Sequence, residues 1–473
     1  MSQGKEKSGE INADELFARA EADSCTRKEQ LGKLVSYQSL AFPGYDPKQS
    51  EECAHLIADY LREVGFDPIE LLDVGGQNPT VWTETKVDEN APTLLLYAHY
   101  DVQPAPMEQG WDSDSWTMLE RDGRLYGRGT ADNKAGIVQH LSALRVLCTQ
   151  LGVAGVDKLP FNIKICFEGE EEYGDSLPTY IPSDSERFKA DIFLVCDGGN
   201  LERGKPIIQT TLRGVAELTI KLRTLPNALH SGAFGGPAPD AFLALTGLVQ
   251  SMYDEAGNTV IEGVESGDYK GEVDYSEELF RRQTESLAGT DLLGTGSIAS
   301  RLWSRPAATV VGVDMPSIEA SSNIVIPEVR ARISLRFPSS QKGVDVLEAL
   351  KKHLQAQIPW GTELTFVGEN IMNAFAVHKD ESGEGGHYTR LIKECLAKAY
   401  GKPCGEAGSG GSIPLLEVLQ KGSPQAEFLL FGPIDSELSN IHGANESVCE
   451  LELTNSTKAE ALFMSRVMDS TGV

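Results

Sequence analysis

Through the first half of the chain, short apolar runs bounded by turn residues alternate with stretches of helical periodicity. That alternation predicts an α/β domain whose mixed, mostly parallel sheet carries helices on both faces. Residues 93–98 (TLLLYA), 161–167 (FNIKICF) and 191–196 (DIFLVC) are nearly continuous apolar runs, as strands covered on both sides are. Residues 52–66 (ECAHLIADYLREVGF) have the spacing of an amphipathic helix. Residues 133–151 have it too, with Ile137, Leu141, Leu144 and Cys148 marking one face.

Beyond Leu212 the period changes. Ala216, Leu218, Ile220 and Leu222 alternate with Glu217, Thr219, Lys221 and Arg223, which predicts a strand with one wet face. A helix follows at 240–253, then strands at 309–313 and 329–337, a helix at 344–358 and a strand at 363–367. This βαββαβ order is that of a ferredoxin-like α+β domain. Residues 254–295 form a polar, glycine-containing excursion from it. From His387 a helix, a glycine-rich turn (GSGGSIP) and the apolar run AEFLLFG return to the first style. The expected organisation is therefore one domain from 1–211 and 372–473, interrupted by a second at 212–371.

Composition narrows the functions available. The 473 residues include 42 Lys+Arg and 70 Asp+Glu, a formal net charge of −28. Nucleic acids and anionic membranes both call for a cationic surface, so neither is an expected partner. No apolar run approaches the roughly 20 residues that span a bilayer, and residues 1–15 lack the pattern of a secretory signal. Eight cysteines stand singly, with no Cys-x-x-Cys pair. Reduced thiols in a cytoplasmic protein are the expectation.

Ligands of open α/β sheets gather beyond the carboxyl ends of the strands. Here those ends carry metal-ligand residues. TLLLYA leads into His99-Tyr100-Asp101, FNIKICF into Glu168-Gly169-Glu170-Glu171-Glu172, and DIFLVC into Asp197; AEFLLFG leads to a loop with His442. Asp132 sits where the 133–151 helix begins. Two imidazoles and an excess of carboxylates, without a thiolate, suit a pair of Zn²⁺ or Mn²⁺ ions sharing a bridge. In His99-x-Asp101 both side chains point the same way, so Asp101 can accept the ring proton on the nitrogen remote from a metal. Of the adjacent Glu171 and Glu172, one can bind metal while the other faces water.

Each residue also has a bland reading. Asp132 could cap the helix, the glutamate run could be a solvated face, and His55, His140 and His353 lie on helices as ordinary histidines. Four separate strand ends presenting ligand types together outweigh those readings for the cluster as a whole.

The motifs around these residues are more specific. Ala98-His99-Tyr100-Asp101-Val102-Gln103-Pro104, the run from Tyr126 to Gly136 (YGRGTADNKAG), Glu168-Gly169-x-Glu171-Glu172, Leu229-His230-Ser231-Gly232, Gly410-Gly411-Ser412-Ile413-Pro414 and His442-Gly443-Ala444-Asn445-Glu446 occur in order. The chain resembles the co-catalytic metallopeptidase family of carnosinases, aminoacylases and carboxypeptidase G, in its cytosolic dipeptidase branch. The resemblance runs from about residue 30 to the C-terminus.

That resemblance implies two divalent metal ions per subunit, Zn²⁺ first and Mn²⁺ second. Asp132 would bridge them, with His99 and Asp197 completing one site and Glu172 and His442 the other. It further implies a cis bond between Asp132 and Asn133, Asp101 orienting His99, and Glu171 as general base. The inserted domain would serve as lid and dimerisation module, and His230 would reach the active site of the partner in a homodimer to stabilise the oxyanion. Arg336, Gly411 and Ser412 would hold the carboxylate of a small peptide substrate, with Asn323 also at the substrate. The implied activity is dipeptide hydrolysis, Cys-Gly and β-alanyl dipeptides among the substrates. The alternatives are an N-acyl- or N-carbamoyl-amino-acid amidohydrolase on the same scaffold, and a non-catalytic metal or peptide binder. Intact Glu171 argues against the binder.

Overall fold

The computed structural model describes residues 11–379, 383 and 385–470. It divides into two compact units, one built from Met1–Gln209, Val377–Glu406 and Val418–Val473, the other from Thr210–Ala376 and Ala407–Glu417.

The first unit is organised on a mixed sheet. Its central strands run in the order Asn162–Glu168, Thr93–His99, Ile192–Val195 and Glu427–Leu430, and all are parallel. Ile69–Leu72 and Thr80–Thr85 add antiparallel strands on one side, and Ile207–Leu212 pairs antiparallel on the other. Every side chain of Ile192–Val195 is buried, as the continuous apolar run predicts. Register decides what this sheet presents: His99 pairs with Glu168, and Tyr97 with Val195, so these strands end together along one edge. The loops carrying His99, the glutamate run and Asp197 therefore leave the sheet side by side.

The helix Lys134–Leu151 packs on the strand Thr93–His99 and is itself covered by the helix Glu450–Ser470. Gly152, at φ +66°, ends it in the left-handed conformation that glycine adopts without strain. The helix Pro47–Glu63 begins earlier than apolar spacing predicts. Its first turn is polar, so periodicity gives no signal there; the start is set by Pro47 and by Asp46, whose side chain accepts from Lys48 N–H.

The second unit contains a four-stranded antiparallel sheet in the order Ala307–Asp314, Glu328–Phe337, Gly214–Arg223 and Glu363–Met372. Helices Ala241–Gln250 and Gly343–Ala356 pack against it. The alternation read from the sequence is the physical division of these strands: Ala216, Leu218, Ile220 and Leu222 are buried in one core with Val329, Ala331, Ile333 and Leu335. Asp240 fixes the start of the first helix by accepting from Phe242 and Leu243 N–H. The 254–295 excursion holds one helix, Glu277–Thr284. Residues 407–417 cluster here because Arg213 N–H donates to the Ser409 carbonyl at 3.2 Å and the Ser412 hydroxyl donates to the Arg213 carbonyl.

All eight cysteines are unpaired. Among the described residues no helix is long and apolar enough to cross a membrane.

Candidate metal centre

At the end of the strand Thr93–His99 the His99 ring is fully buried. Its Nδ1 lies 3.1 Å from the Asp101 carbonyl and 3.3 Å from Asp101 Oδ1, which holds that nitrogen as the donor. Nε2 is left to face Asp132 Oδ1 at 3.0 Å and Asp197 Oδ1 at 3.8 Å. The Asp101 carboxylate also accepts the backbone N–H groups of Glu171, at 3.1 Å, and Glu172, at 2.9 Å. One buried carboxylate thus fixes the first histidine and the glutamate turn relative to each other.

Asp132 stands between two imidazoles. Its second oxygen, Oδ2, lies 3.1 Å from His442 Nε2, and the same nitrogen lies 3.1 Å from Glu172 Oε2. The peptide bond from Asp132 to Asn133 is cis. Asn133 Nδ2 donates to the Cys196 carbonyl at 2.7 Å and to Asp197 Oδ1 at 3.2 Å, tying the Asp197 loop to the same corner. Glu172 Oε2 accepts from Gln103 Nε2 at 2.8 Å. Asp132 does not cap the following helix: Asn133 holds that position, without a side-chain cap bond.

Two donor groups result, His99 with Asp132 and Asp197, and Asp132 with Glu172 and His442. Within each group the ligand atoms lie within 4.8 Å of one another. Burial, followed by the charge of Asp132 among the acids, pushes Asp197 up to about 7. Burial also pushes Glu171 well above the ordinary carboxylate range, an effect opposed by His99 and reinforced by Asp197, Glu172 and Asp132. Hydrogen bonds to Asp132 and Glu172 raise His442 to about 10.

These residues fit divalent cations. Among the described residues no Lys or Arg side chain pairs with Asp132, Glu171, Glu172 or Asp197, and Glu172 Oε1 is buried without a hydrogen-bond partner. Buried carboxylates crowded in this way need a cation. Two imidazoles with three carboxylates are the donor set that Zn²⁺ or Mn²⁺ takes.

The remaining candidates lie in the second unit. His230 is exposed and pairs with Ile324 across a two-stranded ladder. Its Nδ1 accepts from Gly232 N–H at 3.1 Å, so a neutral ring carries its proton on Nε2 and can donate from there. Asn323 is its neighbour, the carbonyl accepting from Ser231 N–H at 2.9 Å. Arg336 Nη1 donates to Ser412 Oγ at 3.0 Å, and Gly411 N–H donates to Ser409 Oγ at 3.1 Å. His140 and His353 are hydrogen-bonded helix residues, the first to buried Glu460 at 2.6 Å and the second to Ser251 at 3.1 Å. Glu170 supports a turn, accepting from Gln77 and Asn78 N–H and from the Ser176 hydroxyl.

The family model of peptidase family M20/M25/M40 matches residues 95–466. The chain belongs to this family. It is a hydrolase of the metallopeptidase class, and the comparisons extend over nearly its whole length. It is 37% identical over 442 residues to the cysteinylglycine-S-conjugate dipeptidase of Corynebacterium striatum, covering 92% of this chain and 94% of that one. It is 27% identical over 497 residues to the Cys-Gly metallodipeptidase dug1 of Schizosaccharomyces pombe, covering 98% and 99%. The solved structure of the di-peptidase Dug1p from Saccharomyces cerevisiae has the same fold, with a TM-score of 0.81 at 20% identity over 97% of this chain and 99% of that one.

Glu446 lies in the motif that carries His442, and the sequence alone assigns it no role. It is fully buried, and its carboxylate accepts from the backbone N–H groups of Gly129, Ala131 and Asp132 at 3.1, 2.9 and 3.0 Å while pairing with Arg128 at 2.6 Å. Glu446 therefore sets the position of Asp132 from the motif that carries His442. The opposite charges of Arg128 and Glu446, each inside a ligand-bearing motif, were the available signal. Glu446→Ala would leave Arg128 buried without its carboxylate, an expected loss of about 3 to 5 kcal/mol, and is expected to weaken metal binding by about 10- to 100-fold. Denaturant midpoints and metal titration measure the two; unchanged metal affinity contradicts the positioning role.

Proposed function

We propose that the chain is a dinuclear metal-dependent dipeptidase in which Glu171 is the general base. The observation that carries this reading is Asp132, whose two oxygens face His99 and His442 from a single buried carboxylate. His99, Asp132 and Asp197 would hold one cation, and Asp132, Glu172 and His442 the other, Zn²⁺ first and Mn²⁺ second. When bound, such ions polarise the scissile carbonyl and make a water molecule acidic enough to lose its proton near neutrality.

The protein's own groups do the rest. Glu171, whose carboxylate has no hydrogen bond among the described residues, receives the proton from water and delivers it to the leaving amine. Asp101 keeps His99 in the tautomer whose Nε2 is available as a ligand. His230 donates from Nε2 to the developing oxyanion, and Arg336 with Gly411 and Ser412 holds the peptide's free carboxylate. We assign catalysis to the first unit and the roles of lid and dimerisation to the second, with His230 supplied in trans within a homodimer and Asn323 beside it at the substrate. The relatives named for Cys-Gly substrates support small dipeptides as the substrate class. A cytosolic setting would keep the eight unpaired cysteines reduced.

The shared site has a direct test. His230→Ala and Glu171→Gln are each expected to be inactive alone, and their co-expression to restore activity, because one site of each mixed dimer then receives an intact Glu171 and an intact His230. Mixed dimers that stay inactive reject catalysis in trans.

A further inference from the structure

Arg213 is only 7% exposed, yet its guanidinium has no acidic partner among the described residues. Nη1 reaches the Arg305 carbonyl at 3.5 Å, and Nε is buried with no acceptor at all. A buried charge left unpaired is costly, and arginine is ordinarily found with a carboxylate or phosphate at its fork. Here the neighbouring charge is a second cation. Burial, and after it the Arg336 guanidinium, brings Arg213 down to about 10.

The same two arginines grip one glycine-rich turn. Arg336 donates to Ser412 Oγ, the Ser412 hydroxyl donates to the Arg213 carbonyl, and Arg213 N–H donates to the Ser409 carbonyl. Between Ser409 and Ser412 stand two glycines, and a Cβ at Gly410 would lie 3.1 Å from Arg213 Nη2. Glycine at 410 keeps the space beside that donor open. Glu217 acts on the charge of Arg336 without a hydrogen bond to it, and among the described residues no acid acts on Arg213. In a chain with 70 acidic residues, two adjacent guanidinium groups without a bonded carboxylate point to an anion that arrives from outside.

We propose that Arg213 is a second cation of the pocket that takes the free C-terminal carboxylate of the peptide, acting beside Arg336 and Ser412. This rests on the reading of Arg336 as a carboxylate-binding residue. Arg336 supplies a half-buried fork, and Arg213 supplies buried charge and a donor beside Gly410. Because the second charge acts where solvent screens it least, its loss weakens substrate capture more than turnover.

The test uses the full-length, metal-loaded enzyme with a dipeptide it cleaves and the same dipeptide amidated at its C-terminus. The parent enzyme prefers the free acid. Arg213→Met is expected to lower that acid-over-amide preference about tenfold, the effect of one charge-assisted contact, and chiefly through KM for the acid. Arg213→Lys should retain part of the preference, since it keeps the charge and loses the fork. Gly410→Ala, which crowds Nη2 without altering Arg213, should lower the preference as well and decides the matter if Arg213→Met does not fold. A merely structural Arg213 predicts that all three variants lower both substrates by the same factor, and that result overturns the proposal. Arg336→Met is the control for the reading beneath it: if this variant also leaves the preference intact, the pocket does not bind the carboxylate, a failure distinct from that of Arg213 alone.

Discussion

Glu171→Gln is expected to lower turnover about 10²- to 10⁴-fold, the usual contribution of a general base, while both cations remain bound. The substitution keeps the shape of the side chain and removes only its capacity to take a proton. None of the contacts that build the metal centre depends on the Glu171 carboxylate: its backbone N–H binds Asp101, and the histidines are held by Asp101, Asp132 and Glu172. Steady-state kinetics beside elemental analysis of the same sample separates the two consequences. Full turnover in the variant rejects the proton-shuttle role, and lost metal would make Glu171 a ligand instead.

Asp132→Ala should have the opposite signature. Asp132 is common to both donor groups, so its removal takes one carboxylate from each and leaves His99 Nε2 facing only Asp197 and His442 Nε2 facing only Glu172. Mutation of groups that only support a ligand costs about 10- to 100-fold in metal affinity, and loss of a shared ligand should cost at least that at both sites. The purified variant is expected to carry little metal, to show no activity, and to lack the rise in melting temperature that added Zn²⁺ is expected to give the parent through preferential binding to the folded state. Retention of one tightly bound ion would show that the two groups do not share Asp132.

The site was legible in the sequence to the extent that local pattern determines it. Strands buried on both faces must be nearly continuous in apolar residues, so their ends, and the ligand residues following them, could be located without coordinates. The His99-x-Asp101 spacing likewise dictates that the two side chains share a side, and in the structure Asp101 lies beside His99 Nδ1. Pattern does not separate helix cap from ligand for Asp132, because both uses place an acid at that point in the chain; in the structure Asn133 holds the cap position and two imidazoles face Asp132, which supports the ligand role proposed for it.

Other features depend on contacts distant in sequence. The segment 407–417 joins the second unit through bonds to Arg213, and no periodicity of its own announces that. Glu446 reaches back to the backbone of Asp132, and Arg213 is unusual because no acid pairs with it among the described residues. A buried charged residue has the same letter whether it is paired or not.

In the proposed centre five side chains hold two cations, with Asp132 between them. Anomalous scattering from crystals of the zinc-loaded protein measures this most directly. Two peaks are expected, one within coordination distance of His99 and Asp197 and the other of Glu172 and His442, with Asp132 reaching both. A single peak, or peaks away from these residues, would contradict it.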